Sequence, residues 1–213
     1  CALPISASRA RASRGSLRLV SFGGGDKTNA IPREARALLA VPRGQSAALG
    51  AHLEAAFAEL REEFRITDPN LTLAVASASA TEAPLTPDAS QRLLALLVAL
   101  PHGVHAMSPS LPGLVETSST LAVTAPVEGG QRVHVSCRSS VDSALRAMQG
   151  QVEAIASLAG ASSEIREGYP GWQPNLQSAL LGRLQEVHQA LFQRPAKVCA
   201  LHAGLECGLL ARK

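Results

Sequence analysis

Residues 120–138, TLAVTAPVEGGQRVHVSCR, contain two apolar segments separated by a glycine pair. Short runs rich in β-branched and apolar residues, bounded by turn residues, are typical of strands, here Thr120–Val127 and Arg132–Arg138. Between them, Glu128-Gly129-Gly130 supplies the positive φ angles that a chain reversal requires. The stretch therefore predicts an antiparallel strand–turn–strand hairpin.

A helix and a further strand are predicted after this hairpin. The helix covers Ser143–Leu158, because apolar residues recur there at three- and four-residue spacing on one face. A short closing strand is predicted over Ser162–Glu167. The hairpin therefore begins a unit of strand, turn, strand, helix and strand.

The same order of elements occurs earlier in the chain. The predicted elements are the strand Leu17–Phe22, the loop Gly23–Asp26, a strand Ile31–Val41 broken near Pro32, the helix Ser46–Phe64 and the strand Leu71–Ala76. An internal repeat of this kind indicates a pseudo-two-fold architecture. We expect an α/β fold of the α+β kind, with an antiparallel sheet and helices on one face.

Three further segments complete the organisation of the chain. A helix is predicted between the units, over Thr86–Leu100, since Thr86-Pro87 is a favourable helix start. After residue 167 the sequence changes character; we predict a helix over Leu176–Phe192, a strand over Lys197–Leu201 and a glycine-punctuated loop over His202–Gly208. We expect three parts: a non-native or disordered lead-in (1–15), a first domain (16–167) and an incomplete segment of a second domain (168–213).

Composition excludes several classes of function. The net charge of +3 comes without the basic stripe that nucleic-acid binding normally needs, so no nucleic-acid partner is expected. No apolar run reaches the roughly 18 residues of a membrane span, so no membrane partner is expected. The four cysteines form no C-x-x-C pair and no disulfide framework, which fits a cytoplasmic protein.

Two polar residues stand where they could bind a substrate. Asn29 follows the triple glycine, and its amide could donate to a developing oxyanion; alternatively it supports its own turn. Arg138 ends a predicted strand, and its guanidinium could bind a carboxylate through two parallel hydrogen bonds. Alternatively, Arg138 pairs with Asp142 at the helix start.

Other candidate groups carry weaker signals. His102-Gly-Val-His105 has a spacing compatible with metal binding, but it lacks the third ligand of a catalytic zinc site, which favours a pair of loop histidines. His202 and Glu206 flank the glycine loop that follows a predicted strand, and they are either functional or a mutually satisfied polar pair.

Five segments of the sequence, taken in order, resemble the motifs of one protein family. They are LRLVSFGG (17–24) with NAIPREA (29–35), GLVETS (113–118), RSSVDS (138–143), GYPGWQP (168–174) and HAGLECGL (202–209). Their order and content resemble the aminoacyl-histidine (Xaa-His) dipeptidases, also called cytosolic non-specific dipeptidases, which are di-zinc exopeptidases related to aminoacylase and carboxypeptidase.

The resemblance implies a zinc-bearing catalytic domain interrupted by a lid of two ferredoxin-like halves. Residues 16–167 would then be the lid, and 168–213 part of the catalytic domain. Asn29 would polarise the scissile carbonyl, and Arg138 would bind the C-terminal carboxylate of a dipeptide substrate. His202, Gly204, Glu206 and Gly208 would contribute to the substrate pocket. The sequence leaves open whether two copies of the protein form a homodimer.

The resemblance also implies two zinc ions whose ligands this sequence lacks. The family's His-x-Asp motif, bridging Asp, Glu-Glu pair and ligand His are absent, and we expect them in parts of the parent protein outside this chain. This chain alone should bind no catalytic zinc and hydrolyse nothing. Two alternatives remain: a non-catalytic ferredoxin-like dimerisation or interaction module, and a related di-zinc aminoacylase with another substrate.

Overall fold

The fold is an antiparallel sheet with helices around it, seen in a computed structural model that describes residues 17–166, 168, 171, 175–199 and 202. The elements are β1 Arg18–Gly24, β2 Ala35–Ala40, α1 Ser46–Glu63, α2 Pro87–Ala99, β3 Gly103–Met107, β4 Val115–Val127, β5 Gly130–Ser139, α3 Asp142–Leu158 and α4 Ala179–Phe192. The predicted α+β class with an antiparallel sheet is confirmed.

Strand β4 is the common partner of three other strands. Along one edge it pairs with β5, from Thr117 opposite Ser139 to Val127 opposite Gly130. Since a strand has only two hydrogen-bonding edges, β3 and β1 share the other one, with β1 reaching it where Gly24 meets Thr124. Strand β2 lies beyond β1. All pairings are antiparallel.

The β4–β5 hairpin forms as its sequence predicts. The strands close around a two-residue turn at Glu128 and Gly129, where Gly129 has a φ of 73°. Such turns require left-handed backbone, which glycine adopts without a steric penalty. The pairing register shifts between Leu121 and Val123, so Ala122 is the extra residue of a β-bulge.

Helices α2 and α3 pack against the sheet, and this was predicted for α3 as the helix of the second unit. The core contains Leu19 of β1, which is 2% exposed, and Ala122 of β4, which is fully buried. Met148 and Ala156 are the buried residues of α3, which contacts β5 and β4. Helix α2 contacts β1, and Ser90 Oγ of α2 accepts a 3.0 Å hydrogen bond from the Leu19 amide.

The start of α2 shows why the sequence folds there. Thr86 is the N-cap, and its hydroxyl accepts a 3.2 Å hydrogen bond from the Ala89 amide, which otherwise would lack an intrahelical partner. Pro87 occupies the first helical position, where its missing N–H costs nothing. The prediction of this helix from Thr86-Pro87 is confirmed.

Several predicted elements differ from the structure. Residues 71–76 and 162–166 are not strands, so within the described residues neither unit has its closing strand. Residues 197–199 also form no strand, and the rest of that predicted strand lies outside the described residues. Strand β3 was not predicted. Helix α1 forms as predicted but buries no residue, so it does not join α2 and α3 in the core.

These differences arise because a strand forms only beside another strand that can pair with it. Alternation in Leu71-Thr72-Leu73 describes how side chains would distribute on a strand, but a strand exists only where another edge receives its hydrogen bonds. Strand β3 has such a partner, since Gly103 lies opposite Ser119 of β4. In the part of the chain that the structure describes, no helix is long and apolar enough to cross a membrane.

Candidate functional site

Arg138 lies near the end of β5, directly opposite Ser118 of β4. Its guanidinium donates two hydrogen bonds to backbone carbonyls from distant parts of the chain. Nη2 donates to the Asn29 carbonyl at 3.2 Å, and Nη1 donates to the His202 carbonyl at 3.5 Å. The structure thus brings three of the residues singled out from the sequence, Asn29, Arg138 and His202, to one place.

The turn that carries Asn29 is positioned by close packing of β1 on β4. Gly25, directly after β1, has a φ of 73°, and a Cβ there would overlap the carbonyl oxygen of Ala122 in the β4 bulge. Only glycine satisfies both conditions. The chain then turns over residues 27–30, where the Ala30 amide donates to the Lys27 carbonyl at 3.4 Å.

The side chain of Asn29 is available to a ligand. Asn29 is exposed, and its amide group makes no hydrogen bond within the described residues. The alternative interpretation, in which the amide supports its own turn, therefore has no contact behind it. The backbone carbonyl of the same residue is what contacts Arg138.

His202 is held by its ring as well as by its carbonyl. Its Nε2 lies 2.7 Å from the hydroxyl oxygen of Ser118. Burial lowers the pKa of His202, the adjacent positive charge of Arg138 lowers it further, and a backbone hydrogen bond with Val115 raises it. The neutral imidazole is the form that this environment favours.

The arrangement is suited to binding a small carboxylate. A guanidinium has five N–H donors in a rigid fork, and the two carbonyl contacts described occupy one hydrogen on each terminal nitrogen. Carbonyl acceptors orient the group without neutralising its charge, so its attraction for an anion persists. Asn29, which contacts this cation through its backbone carbonyl, also carries an exposed amide that can donate to a ligand.

Ser118 was not singled out from the sequence, although it anchors His202. Counting back from the two-residue turn, with Val127 opposite Gly130, places Arg138 opposite Ser119. The bulge at Ala122 moves the register by one residue and brings Ser118 there instead. Sequence alone gave no signal for this bulge.

Gly204, Glu206 and Gly208, which the resemblance assigns to the substrate pocket, lie outside the described residues. The same holds for the lead-in 1–15. The alternative pairing of Arg138 with Asp142 is not among the described hydrogen bonds of the guanidinium, both of which reach carbonyl oxygens.

The histidine pair 102/105 supports the sheet. His102 Nδ1 accepts a 3.2 Å hydrogen bond from the Leu121 amide, and His105 Nε2 lies 2.8 Å from Ser119 Oγ. His105 belongs to β3, so the interpretation of both residues as loop histidines is wrong for His105, because the sheet extends to it. Among the described residues, no three His, Cys, Asp or Glu side chains form a group that could hold a metal ion.

Comparison with known proteins identifies two relatives. The chain is 34% identical over 196 residues to the cytosol non-specific dipeptidase of Escherichia coli (strain K12), covering 92% of this chain and 40% of that protein. Its fold matches the crystal structure of the aminoacylhistidine dipeptidase from Vibrio alginolyticus with a TM-score of 0.83 at 34% identity, over 92% of this chain and 40% of that one. No protein-family model matches.

These findings confirm the resemblance drawn from the five sequence strings. The chain spans less than half of the length of each dipeptidase that it matches. Both similarities cover nearly all of the chain, so they include the sheet and the residues around Arg138.

Proposed function

We propose, from this relationship to a segment of the cytosol non-specific and aminoacylhistidine dipeptidases, that the parent protein hydrolyses Xaa-His and other unblocked dipeptides. Residues 16–167 would form the lid that clamps the substrate, and 168–213 a strip of the catalytic domain. The observation that supports this best is the meeting of Asn29, Arg138 and His202, since the residues come from three distant parts of the chain.

Arg138 would bind the C-terminal carboxylate of the dipeptide. Its guanidinium is half-buried and oriented by two carbonyls, so less side-chain entropy is lost when a carboxylate binds. A bidentate pair with a carboxylate recognises both its charge and its planar shape. This requirement would restrict the enzyme to substrates whose C-terminus is free and close to the scissile bond.

Asn29 would polarise the scissile carbonyl and steady the oxyanion that forms from it. An amide N–H is an effective donor there because it strengthens its bond as negative charge develops. The contact between the Asn29 backbone carbonyl and the Arg138 guanidinium supports this role, since it keeps the exposed residue Asn29 close to the proposed carboxylate site. A dipeptide places its scissile carbonyl within one residue of its carboxylate, which matches two adjacent donor groups.

Two zinc ions are part of the proposal, but the described residues do not fit a zinc site. They contain no group of three potential ligands. The ligands would have to come from the part of the dipeptidase length that this chain does not span, and the chain alone is expected to be inactive. A cytoplasmic location is proposed from the relative described as a cytosol dipeptidase.

The test uses the full-length parent protein, purified with zinc, and measures its hydrolysis of a dipeptide and of three derivatives that each differ from it in one feature. They are a dipeptide ending in His, its C-terminal amide, its N-acetyl derivative and the tripeptide extended at the C-terminus. We expect the free dipeptide to be cleaved and the C-terminal amide to react at least about 10-fold more slowly.

Two results would contradict the proposal and favour an alternative function. Preferential cleavage of an N-acyl amino acid would indicate an aminoacylase. If zinc-loaded protein cleaves none of the compounds, the non-catalytic interaction module is favoured.

A further inference from the structure

His202 makes two contacts with the sheet that differ in kind. Its ring nitrogen lies 2.7 Å from Ser118 Oγ, and its backbone carbonyl accepts from Arg138 Nη1 at 3.5 Å. Ser118 and Arg138 are themselves direct neighbours across β4 and β5. The three residues therefore form a closed set of contacts, in which each one touches the other two.

We propose that His202 is a positioning residue for the carboxylate-binding guanidinium: its ring, anchored on Ser118, fixes the carbonyl that orients Arg138. This inference rests on the proposed function, because it assigns a role within the same substrate site. It differs from the role implied by the family resemblance, in which His202 would line the pocket itself.

The geometry favours action through Arg138 over direct contact with the substrate. Nε2 is engaged by Ser118, and the Val115 backbone lies close enough to the ring to raise its pKa. The ring is therefore held against β4. The carbonyl of residue 202 is then held at a fixed distance from β5, where it meets one terminal nitrogen of Arg138.

The opposite side of the guanidinium is fixed independently. Nη2 donates to the Asn29 carbonyl, so the two terminal nitrogens are oriented by two separate segments. Removing one of these carbonyls leaves the group free to rotate about its remaining contact. A rotating guanidinium still attracts an anion, but it loses the alignment that a bidentate carboxylate pair requires.

The chain also approaches the end of β5 closely at Gly171. At Gly171 an added Cβ would overlap the carbonyl oxygen of Ser139, the residue after Arg138. Gly171 therefore lies beside the end of β5, the strand that carries Arg138.

The first experiment measures dipeptide hydrolysis by the full-length parent protein carrying His202→Ala, His202→Gln, Ser118→Ala or Arg138→Ala. We expect His202→Ala to raise KM about 10-fold with little change in kcat, since the ring contact that fixes the carbonyl of residue 202 is lost. His202→Gln should recover much of the affinity, because its amide can still bond to Ser118. Ser118→Ala should reproduce the KM effect of His202→Ala.

A double-mutant cycle separates indirect from direct action. If His202 acts through Arg138, then His202→Ala should add almost nothing once Arg138 is already alanine. Additive effects of the two substitutions would overturn the inference, since they would mean that His202 contacts the substrate independently. For the same reason, His202→Ala should not change the kcat/KM for hydrolysis of the C-terminally amidated dipeptide.

A crystal structure of the His202→Ala parent protein gives a readout that needs no activity. We expect the Arg138 guanidinium to leave its position or to adopt several conformers, while β4 and β5 stay in place. An unchanged guanidinium in that variant would refute the positioning role even if the protein is a dipeptidase. Conversely, a displaced guanidinium in a protein that cleaves no dipeptide would keep the positioning role and reject the proposed function.

Discussion

The carbonyl oxygen of Asn29 accepts a 3.2 Å hydrogen bond from Nη2 of Arg138, across 109 residues of sequence. The contact uses the backbone of Asn29 and leaves its amide group exposed. Asn29 therefore orients the guanidinium through its backbone while its side chain stays exposed. This relationship supports the proposal that the substrate carboxylate binds at Arg138 and the scissile carbonyl at Asn29.

Replacing Arg138 by alanine in the full-length parent protein should weaken dipeptide capture. We expect kcat/KM to fall by a factor that corresponds to about 1.5–3 kcal/mol, the usual contribution of a hydrogen bond to a charged group. The measurement is steady-state hydrolysis of a free dipeptide. Arg132→Ala is the matched control, because Arg132 lies exposed on the same strand, and it should leave kcat/KM near that of the wild type. Unchanged kinetics for Arg138→Ala would refute the assigned role.

Replacing Asn29 by alanine should act on the chemical step. A lost oxyanion donor costs on the order of 10²-fold in kcat, with little effect on KM. Thr28→Ala changes the neighbouring exposed residue of the same turn and serves as the control. If Asn29→Ala alters KM alone, the amide contributes to ground-state binding and not to oxyanion stabilisation.

Gly25 and Gly129 form a natural pair for testing the packing of β1 on β4. Both have a φ of 73°, but only at Gly25 would a Cβ meet another atom, the Ala122 carbonyl oxygen. Gly129→Ala should cost about 1–2 kcal/mol through left-handed strain. Gly25→Ala should cost about 1–3 kcal/mol more through overlap.

Urea unfolding of the parent protein measures both glycine variants. Gly25→Ala should also reduce dipeptide turnover, because the turn with Asn29 begins there. Equal stability of the two variants would contradict the close approach of Gly25 to β4.

Stability should fall as the pH drops below the ordinary histidine value of 6.5. The pKa of His102 is lowered, first by burial and also by the charge of His105, and the pKa of His202 is lowered by burial and by Arg138. The unfolded chain then binds protons that the folded chain resists, so acidification favours unfolding until the folded pKa values are passed. Above pH 6.5 this effect disappears.

His102→Asn isolates one part of this pH dependence. The asparagine carbonyl can still accept from the Leu121 amide, as His102 Nδ1 does at 3.2 Å, because both acceptor atoms are bonded to Cγ, but it does not titrate. We expect a smaller drop in the thermal unfolding midpoint between pH 7.5 and 5.5 than in the wild type. The same drop in both proteins would show that His102 protonation does not contribute.

Local signals in the sequence predict some of these elements well and others not at all. Helix α2 follows from Thr86-Pro87 and the β4–β5 hairpin from its glycine pair, since capping and turn formation involve only neighbouring residues. Strand β3 and the missing closing strands depend on which edges are available, and that is decided by the whole sheet.

The same distinction applies to the site. Asn29 and Arg138 were identified by residue type, position and family resemblance, and the structure brings them together. The role of backbone carbonyls in orienting Arg138 has no trace in the sequence, because every residue carries one. Ser118 was hidden by the bulge at Ala122, which shifts the cross-strand partner of Arg138 by one residue.

The central place of β4 has a consequence for the order in which the protein is built on the ribosome. The β1–β2 hairpin is synthesised before β4, and its Gly24 finds its neighbour only when Thr124 has left the exit tunnel. At synthesis rates of roughly 5–20 residues per second, the hairpin waits on the order of ten seconds with one edge unprotected. Premature pairing of that edge with another nascent chain is the hazard that a late central strand creates.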